Sequence, residues 1–377
     1  MVTVQQKEHD FLQILCLFGL QAVEKERTVQ SVYYILRGRK AHQTYQDVHA
    51  YSLYSLYRLF PQLSVERWTE IVNKLVADGW IRLVTWQGSG QKNTFYVTQT
   101  GKQALLCGLE QYSLKQWLST IDQMQMTSQI RAFWLRLHLL VQTVSHLLCD
   151  HLGFIPVVQD RKIQAEMRRL LASPATRERY QQGLHQELFA LLSTYPPEQQ
   201  QLVVSQLSGQ HQVGLTLQQI AWQRQEAPSF LHVQMRSILA DMCKKLSRHD
   251  QQFPLLAPLC KAGMEQEQAA VLSRSTRETW QLLSQGKSID DIVAIRSIKR
   301  STVEDHLVEI VLSTQDFDVS AYLSKQEQEK ILQVQKELHT RRLRHIKDKL
   351  GEEYSFLQIR LALAQARLTP SGESSRR

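Results

Sequence analysis

The stretch SVERWTEIVNKLVADGWIRLVTWQGSGQKNTFYVTQT, residues 64–100, predicts a helix followed directly by a β-hairpin. In its first half, apolar side chains recur every three or four residues, as on one face of an amphipathic helix. Ser64 is a good N-cap for this helix, and Gly79 permits the left-handed backbone that commonly follows a helix end. We therefore predict a helix over residues 65–77.

The second half of the same stretch has the pattern of two paired strands. Two short runs rich in β-branched and aromatic residues, Ile81–Trp86 and Thr94–Thr98, flank the polar segment 87–93. They predict a β-hairpin over Ile81–Thr98. Helices followed by one hairpin are typical of the winged-helix fold. We therefore predict a winged-helix domain over residues 1–110.

Outside the hairpin, apolar residues at helical spacing recur along almost the whole chain, so the predicted fold class is mainly α. We predict three further domains after the winged helix. They are a helical region over residues 111–269, a helix-turn-helix unit over 270–315, and C-terminal basic helices with a disordered tail over 316–377.

The helical region contains a candidate internal repeat. Residues 214–239 align without gaps on residues 286–311, at an offset of 72, with five identical positions in 26. The identical pairs are Gly214/Gly286, Ile220/Ile292, Arg224/Arg296, Ser229/Ser301 and Ile238/Ile310. The alignment favours a helix-turn-helix copy near 214–240, although two unrelated amphipathic helix pairs with a common period would also align.

The C-terminal copy carries three patterns that predict helix starts. A Ser followed three residues later by Glu forms a capping box at a helix N-terminus. The pairs Ser275–Glu278 and Ser301–Glu304 fit this pattern, and Ser288–Asp291 marks a further helix start. They predict a compact unit of three helices.

The composition indicates a cytoplasmic protein with reduced thiols and a polyanionic partner. The chain has 377 residues and a formal net charge of +9, and the basic surplus is spread evenly over its three thirds. Five cysteines without a C-x-x-C pair disfavour a disulfide framework or a zinc ribbon. The polar start of the sequence lacks the pattern of a signal peptide, and no run is apolar enough to span a bilayer.

No catalytic, cofactor or metal site is predicted, and we expect the protein not to be an enzyme. The segment 286–288 resembles the end of a phosphate-binding loop, but Gln281 stands where that loop needs its first glycine. His146, Cys149 and His151 are close in sequence but lack a fourth metal ligand.

Two kinds of side chain are candidates for contact with DNA. Trp86, near the predicted hairpin tip, can stack on an unpaired base beside Arg82 and Lys92, or it can complete the local core. The other candidates are cations that can hold phosphates or lie on solvated helix faces: Arg37, Arg39 and Lys40; Lys299 and Arg300; and Arg341, Arg342, Arg344 and Lys347.

The third helix of the predicted helix-turn-helix unit has the wrong composition for reading a DNA sequence. Residues 301–312 include Glu304, Asp305 and Glu309. They contain no Lys, Arg, Asn or Gln, the residues that most often contact base edges. The acidic face fits docking to a protein better.

Two parts of the chain resemble segments of RecQ-type DNA helicases. Residues 32–101, with YYILRGRKAHQTYQDVHAYSLY, LVADGWIRL and YVTQTGKQAL, resemble the winged-helix domain that follows the motor. Residues 275–367, with STRETWQLLSQGKSIDDIVAIRSIKRSTVEDHLVEI and RLRHIKDKLGEEYSFLQIRLALAQ, are similar to the helicase-associated helix-turn-helix module. In many Gram-positive bacteria, a separate protein of this kind is paired with a short RecQ-type helicase.

The resemblance implies a non-catalytic accessory of a RecQ-type helicase, with roles in DNA repair or recombination. It places the strand-separating hairpin at Ile81–Thr98 and its tip at residues 86–93, so forked or single-stranded DNA is the expected ligand. The ATPase lobes and zinc-binding cysteines of a full helicase have no counterpart here. The alternatives are a helix-turn-helix transcription regulator and a purely structural adaptor.

Overall fold

We describe the protein from a computed structural model. Its described residues are 2–84, 94–151, 153–261, 272–313, 317–338 and 343–366. Within them the fold is mainly α-helical, with 19 α-helices and one two-stranded hairpin, which confirms the predicted fold class. None of the described helices is long and apolar enough to cross a membrane.

The bounds of the helices and strands, in chain order, are as follows. The first elements are α1 (Val4–Val23), α2 (Val29–Arg37), α3 (His42–Ala50), a short 3-10 helix (Tyr54–Leu56), α4 (Val65–Ala77), β1 (Ile81–Val84), β2 (Thr94–Val97) and α5 (Gln99–Gln111). Next come α6 (Leu114–Leu118), α7 (Gln125–Leu147), α8 (Arg161–Leu170), α9 (Pro174–Leu192), α10 (Pro197–Val204), α11 (Leu217–Arg224), α12 (Pro228–Arg248) and α13 (Ala257–Lys261). The last are α14 (Arg274–Ser284), α15 (Ile289–Arg296), α16 (Arg300–Ser313), α17 (Lys325–Leu338), α18 (Leu343–Leu350) and α19 (Phe356–Gln365).

The chain forms two compact units. Met1–Cys16 and Gln103–Glu267 form the middle unit, while Leu17–Lys102 and Gln268–Arg377 form the terminal unit. The terminal unit therefore combines the predicted winged helix with the C-terminal helix-turn-helix region. The finer division at residues 110, 269 and 315 stays a prediction.

The elements predicted from residues 64–100 lie in the terminal unit. Ser64 caps α4, because its Oγ accepts a hydrogen bond from the Arg67 N–H at 3.1 Å. Gly79 follows the helix with a φ of +70°. β1 pairs antiparallel with β2, from Ile81 opposite Val97 to Val84 opposite Thr94. The helix over 65–77 and the two strands are confirmed. The hairpin tip and the tail predicted to be disordered lie outside the described residues.

Both predicted capping boxes in the helix-turn-helix region are wrong. α14 begins at Arg274, with Ser273 as its N-cap, so Ser275 lies inside the helix. α16 begins at Arg300, which also places Ser301 inside its helix. The helix start predicted at Ser288 is confirmed. It carries a capping box, since the Ser288 and Asp291 side chains each bond to the other residue's backbone N–H.

A long-range contact sets the start of α14. The carboxylate of Glu309, which is 3% exposed on α16, accepts hydrogen bonds from the Ser273 N–H and the Thr276 hydroxyl, both at 2.7 Å. Ser273 Oγ accepts a further bond from the Thr276 N–H at 3.0 Å. Burial raises the pKa of Glu309, and these hydrogen bonds oppose the rise. The residue that selects the helix start is therefore distant in sequence.

Within the terminal unit, α3 packs on α16, and a polar cluster joins both helices to α19. Arg360 of α19 donates to Asp305 Oδ1 of α16 at 2.5 Å, and His42 Nε2 at the start of α3 lies 3.3 Å from the same oxygen. Arg360 Nη1 is also 3.3 Å from His42 Nε2, as expected if a neutral histidine accepts from the guanidinium. Burial lowers the pKa of His42 well below its ordinary value, although Asp305 opposes this.

The offset of 72 seen in the sequence also relates helix bounds in the structure. α11 (217–224) corresponds to α15 (289–296), and the next helices begin at Pro228 and Arg300. Both first helices start with a capping box, at Thr216 and Ser288. Both end in a left-handed residue, Gln225 with φ of +52° and Ser297 with φ of +50°. The two segments thus share helix length, cap and turn.

One identical pair of the alignment has the same structural role in both segments. Arg224 of α11 donates to the Glu198 carbonyl of α10 at 3.0 Å. Arg296 of α15 donates to the Ser275 carbonyl of α14 at 2.8 Å and to the Glu278 carboxylate at 2.8 Å. In each case the arginine is the last residue of the first helix of the pair, α11 or α15. Its hydrogen bonds hold that helix against the one that precedes it in the chain, α10 or α14.

We expect acid to destabilise the terminal unit through its buried histidines. Burial and the nearby Arg296 charge lower the pKa of His306 to about 4, and its Nδ1 lies 2.8 Å from the Thr279 hydroxyl. An unfolded histidine titrates near pH ~6.5. Between these pH values the unfolded chain binds more protons, so the free energy of unfolding falls as the pH falls, by up to about 1.4 kcal/mol per pH unit for each such histidine.

Urea unfolding at several pH values from about 7 down to about 4 covers this window and measures the slope. We expect His306→Gln to flatten it, because the variant removes one titrating group. The matched control is His345→Gln, which changes an exposed histidine of α18 and should leave the slope unchanged. Equal slopes in the wild type and His306→Gln would contradict the prediction.

Candidate nucleic-acid interface

The C-terminal end of α2 is built so that basic side chains gather around it. Gly38 adopts φ of +70°, and its N–H and that of Arg39 return to the carbonyls of Ile35 and Tyr34, each at 2.9 Å. The chain then passes the same helix end a second time. The N–H groups of Arg58 and Phe60 donate to the Ile35 and Leu36 carbonyls, also at 2.9 Å.

This second pass brings Arg58 directly against Gly38. A Cβ atom added to Gly38 would lie 2.5 Å from the Cβ of Arg58, so only glycine leaves room for the approach. Arg37, Arg39, Lys40 and Arg58 are all exposed there, and we call these four residues the α2 cation cluster. Sequence reasoning identified the first three and missed Arg58.

Two arginines of the cluster, Arg37 and Arg39, are oriented by aromatic rings rather than by carboxylates. Arg37 donates to the Tyr33 hydroxyl at 3.1 Å, and the Arg39 guanidinium carbon lies 4.4 Å from the centre of the Tyr34 ring. Among the described residues, no carboxylate forms an ion pair with Arg37, Arg39 or Arg58. The negative end of the α2 dipole favours cations at this position. Their charge is therefore available to phosphates.

The hairpin contributes one described candidate. Arg82 lies on β1 opposite Tyr96 and is exposed, together with its neighbours Leu83 and Val84. Trp86 and Lys92 lie outside the described residues. The outward face of β1 is thus open to a partner at the base of the hairpin.

The second helix of the helix-turn-helix pair, α16, is largely covered. Its buried residues are Val303, His306, Leu307, Val308, Glu309, Ile310, Val311 and Leu312. Its three acidic side chains make intramolecular contacts, since Asp305 pairs with Arg360, Glu309 holds the start of α14, and Glu304 lies 3.3 Å from Arg300. This face is used for packing within the terminal unit.

The remaining candidates lie apart from one another in the chain and differ in their partners. Arg300 pairs with Asp290 and Glu304, whereas Lys299 is exposed and forms no ion pair within the described part of the chain. On α18, Arg344 is exposed and Lys347 donates to the Gly351 carbonyl at 3.0 Å. Arg341 and Arg342 lie outside the described residues. Among the described candidates, Arg37, Arg39 and Lys40 lie together around the end of α2, where Arg58 joins them.

The histidine and cysteine residues weighed as metal ligands form two pairs. His146 Nδ1 lies 3.2 Å from His151 Nδ1, and Cys149 Sγ lies 3.6 Å from His211 Nε2. His211 was not found from the sequence, because it lies on a separate loop. Over the described ranges, no three such side chains converge in a way that could hold a metal ion. We therefore assign these pairs no metal-binding role.

Comparison with known proteins shows a match to a domain family and similarity to one curated protein. Residues 275–363, from α14 into α19, match a family described as "Helix-turn-helix domain". The chain is 26% identical over 362 residues to the protein YpbB of Bacillus subtilis (strain 168), and the alignment covers 94% of this chain and 97% of YpbB. No solved structure gives a significant match. The helix-turn-helix match favours DNA binding.

We expect Arg37→Ala/Arg58→Ala to weaken DNA binding in a salt-dependent way. Each lost phosphate contact lowers the slope of log affinity against log salt by about one, so the double variant should lose up to about two. Fluorescence anisotropy with a labelled forked DNA over a range of salt concentrations measures this.

The matched control is Lys115→Ala/Arg248→Ala, which removes two exposed cations of the middle unit. It has the same net charge as the test variant, and we expect it to retain the wild-type slope. If both double variants bind alike, the α2 cation cluster makes no specific contribution.

Proposed function

We propose that the protein is a non-catalytic accessory of a RecQ-type DNA helicase, which binds both the motor protein and DNA in DNA repair or recombination. The observation that carries the DNA-binding part is the α2 cation cluster, whose three arginines have no carboxylate partner among the described residues. The resemblance of residues 32–101 and 275–367 to RecQ-associated segments supports the helicase part. A partner that supplies ATP hydrolysis would explain why the sequence lacks ATPase motifs.

The burial of α16 supports contact with DNA structure over the reading of a defined sequence. Helix-turn-helix proteins that recognise operators place the second helix in the major groove. Here burial is not confined to one face of α16, since Val303, Val308 and Glu309 lie on different sides of the helix and are at most 3% exposed. Insertion of that helix would therefore require the terminal unit to open. Phosphate contacts from an exposed cluster require no such change and carry no sequence information.

A transcription regulator is the second candidate, and the match to a helix-turn-helix family favours it. Exposed surfaces other than α16 would then have to read the bases. The two functions predict different DNA preferences. An accessory binds forks or single strands of many sequences, whereas a regulator selects one site.

We expect the full-length protein to prefer forked or single-stranded DNA over random duplexes, and to co-purify with a RecQ-type helicase at moderate salt. Competition binding and a pull-down with the purified helicase measure the two properties. Enrichment of one palindromic duplex would favour the regulator. Failure to associate with the helicase would reject the accessory function.

We expect Trp86→Ala to reduce stimulation of fork unwinding by the helicase, because it removes the aromatic ring near the predicted hairpin tip. Trp222→Ala is the matched control, since Trp222 is a 70% exposed tryptophan on α11 of the middle unit. A structural adaptor would behave differently. Its DNA binding would be unchanged in Trp86→Ala and in Arg341→Ala/Arg342→Ala.

We also expect the purified protein to hydrolyse no nucleotide, with or without DNA. A phosphate-release assay tests this, with the RecQ-type helicase as the positive control. Hydrolysis that co-elutes with this protein through successive columns would contradict the proposal that it is non-catalytic.

A further inference from the structure

We propose that the groove between α2 and α3 holds one unpaired base of a bound DNA strand. This inference rests on the proposed DNA binding and names the part of the DNA that is recognised. The groove has a volume of about 370 Å³ and lies entirely within the terminal unit. That volume is at the lower end of the ~300–1,000 Å³ typical of small-molecule sites. It suits a single planar ring system better than a helix or a peptide.

Two arginines line the groove, and their environments differ. Arg27 Nε donates to Asp47 Oδ1 at 2.7 Å, so its charge is neutralised within the protein. Arg39 forms no ion pair with a carboxylate of the described residues and is exposed. It is therefore the groove residue that can attract a phosphodiester strand.

Arg39 also provides a flat surface for a base. One face of its guanidinium lies over Tyr34, with 4.4 Å between the guanidinium carbon and the ring centre. No other aromatic ring of the described residues covers the second face. Unpaired bases stack on arginine planes as well as on aromatic rings, and this stacking tolerates any base. A base in the groove would extend the stack from Tyr34 through Arg39.

The groove walls offer polar atoms for the edge of the base. Gln43 Nε2 donates to Asp47 Oδ1 at 2.8 Å, and Gln43 Oε1 accepts no hydrogen bond within the described part of the chain. Thr28 is the N-cap of α2, but its side chain makes no capping hydrogen bond. Both residues line the groove. Their oxygens can accept from the exocyclic amino groups of bases.

The position of the groove relates it to the hairpin and to the α2 cation cluster. Thr94, the first residue of β2, lines one side of the groove. The groove therefore adjoins the hairpin at the start of β2. Arg39 belongs to both the groove and the cluster. A strand whose phosphates lie on Arg37 and Arg58 can therefore turn one base toward Tyr34 and Arg39.

The test compares Arg39→Lys with the wild-type full chain, using single-stranded oligonucleotides that carry 2-aminopurine. Lysine keeps the positive charge but lacks the planar face. We expect the wild type to change the 2-aminopurine fluorescence through stacking. We expect Arg39→Lys to abolish this change and to weaken binding roughly fivefold or more. Arg248→Lys, an exposed site in the middle unit, should behave as wild type.

Each outcome decides a different point. If the wild type binds the oligonucleotide but Arg39→Lys binds equally well and shows the same fluorescence, the groove holds no base and only this inference fails. If Arg39→Ala is weak while Arg39→Lys is wild type, the residue acts by charge alone, which also overturns it. If the wild type does not bind DNA, the proposed function fails as well. We expect the melting curves of Arg39→Lys and Arg39→Ala to match that of the wild type, which would exclude a folding defect.

Discussion

The burial of α16 constrains the whole terminal unit. This helix packs against α3, α14, α15 and α19, so residues from near both ends of the chain meet on its surface. Leu307 and Val311 fill the centre, and the polar contacts of Asp305 and Glu309 fix the neighbouring helices around it. Any other packing of these helices would leave the Arg360 charge and the buried Glu309 carboxylate without these partners, so the contacts favour the observed arrangement. The second helix of the helix-turn-helix is thus the packing centre of the terminal unit.

The sequence predicted those parts of the fold that depend on local interactions. The helix over 65–77 was placed correctly because Ser64 caps it through a residue three positions away and Gly79 ends it. The start of α14 was misplaced because Ser273 and Ser275 are both acceptable N-caps. The choice between them depends on Glu309, which lies on another helix. Packing of α3 on α16 could not be predicted either, since no periodic pattern reports which distant helices meet.

The residues of the candidate DNA-binding site also divide into those that the local sequence predicts and those that only the fold brings together. Arg37, Arg39 and Lys40 are consecutive or nearly so, and a run of cations after an apolar helix is visible in the sequence. Arg58 joins them only because residues 58–60 return to the end of α2, with Arg58 itself in a left-handed conformation at φ of +55°. Nothing in its sequence neighbourhood predicts that conformation. The groove was missed for the same reason, since α2, α3 and β2 form its walls together.

The terminal unit joins segments from near the two ends of the chain, and this has a consequence for synthesis on the ribosome. The α3 surface emerges early, but its partner α16 follows only after some 250 further residues, which takes roughly 10–50 s at bacterial elongation rates. During that interval the part of α3 that packs on α16 has no native cover, although α2 is already present. Nascent chains of this protein should therefore depend on chaperones until translation is nearly complete.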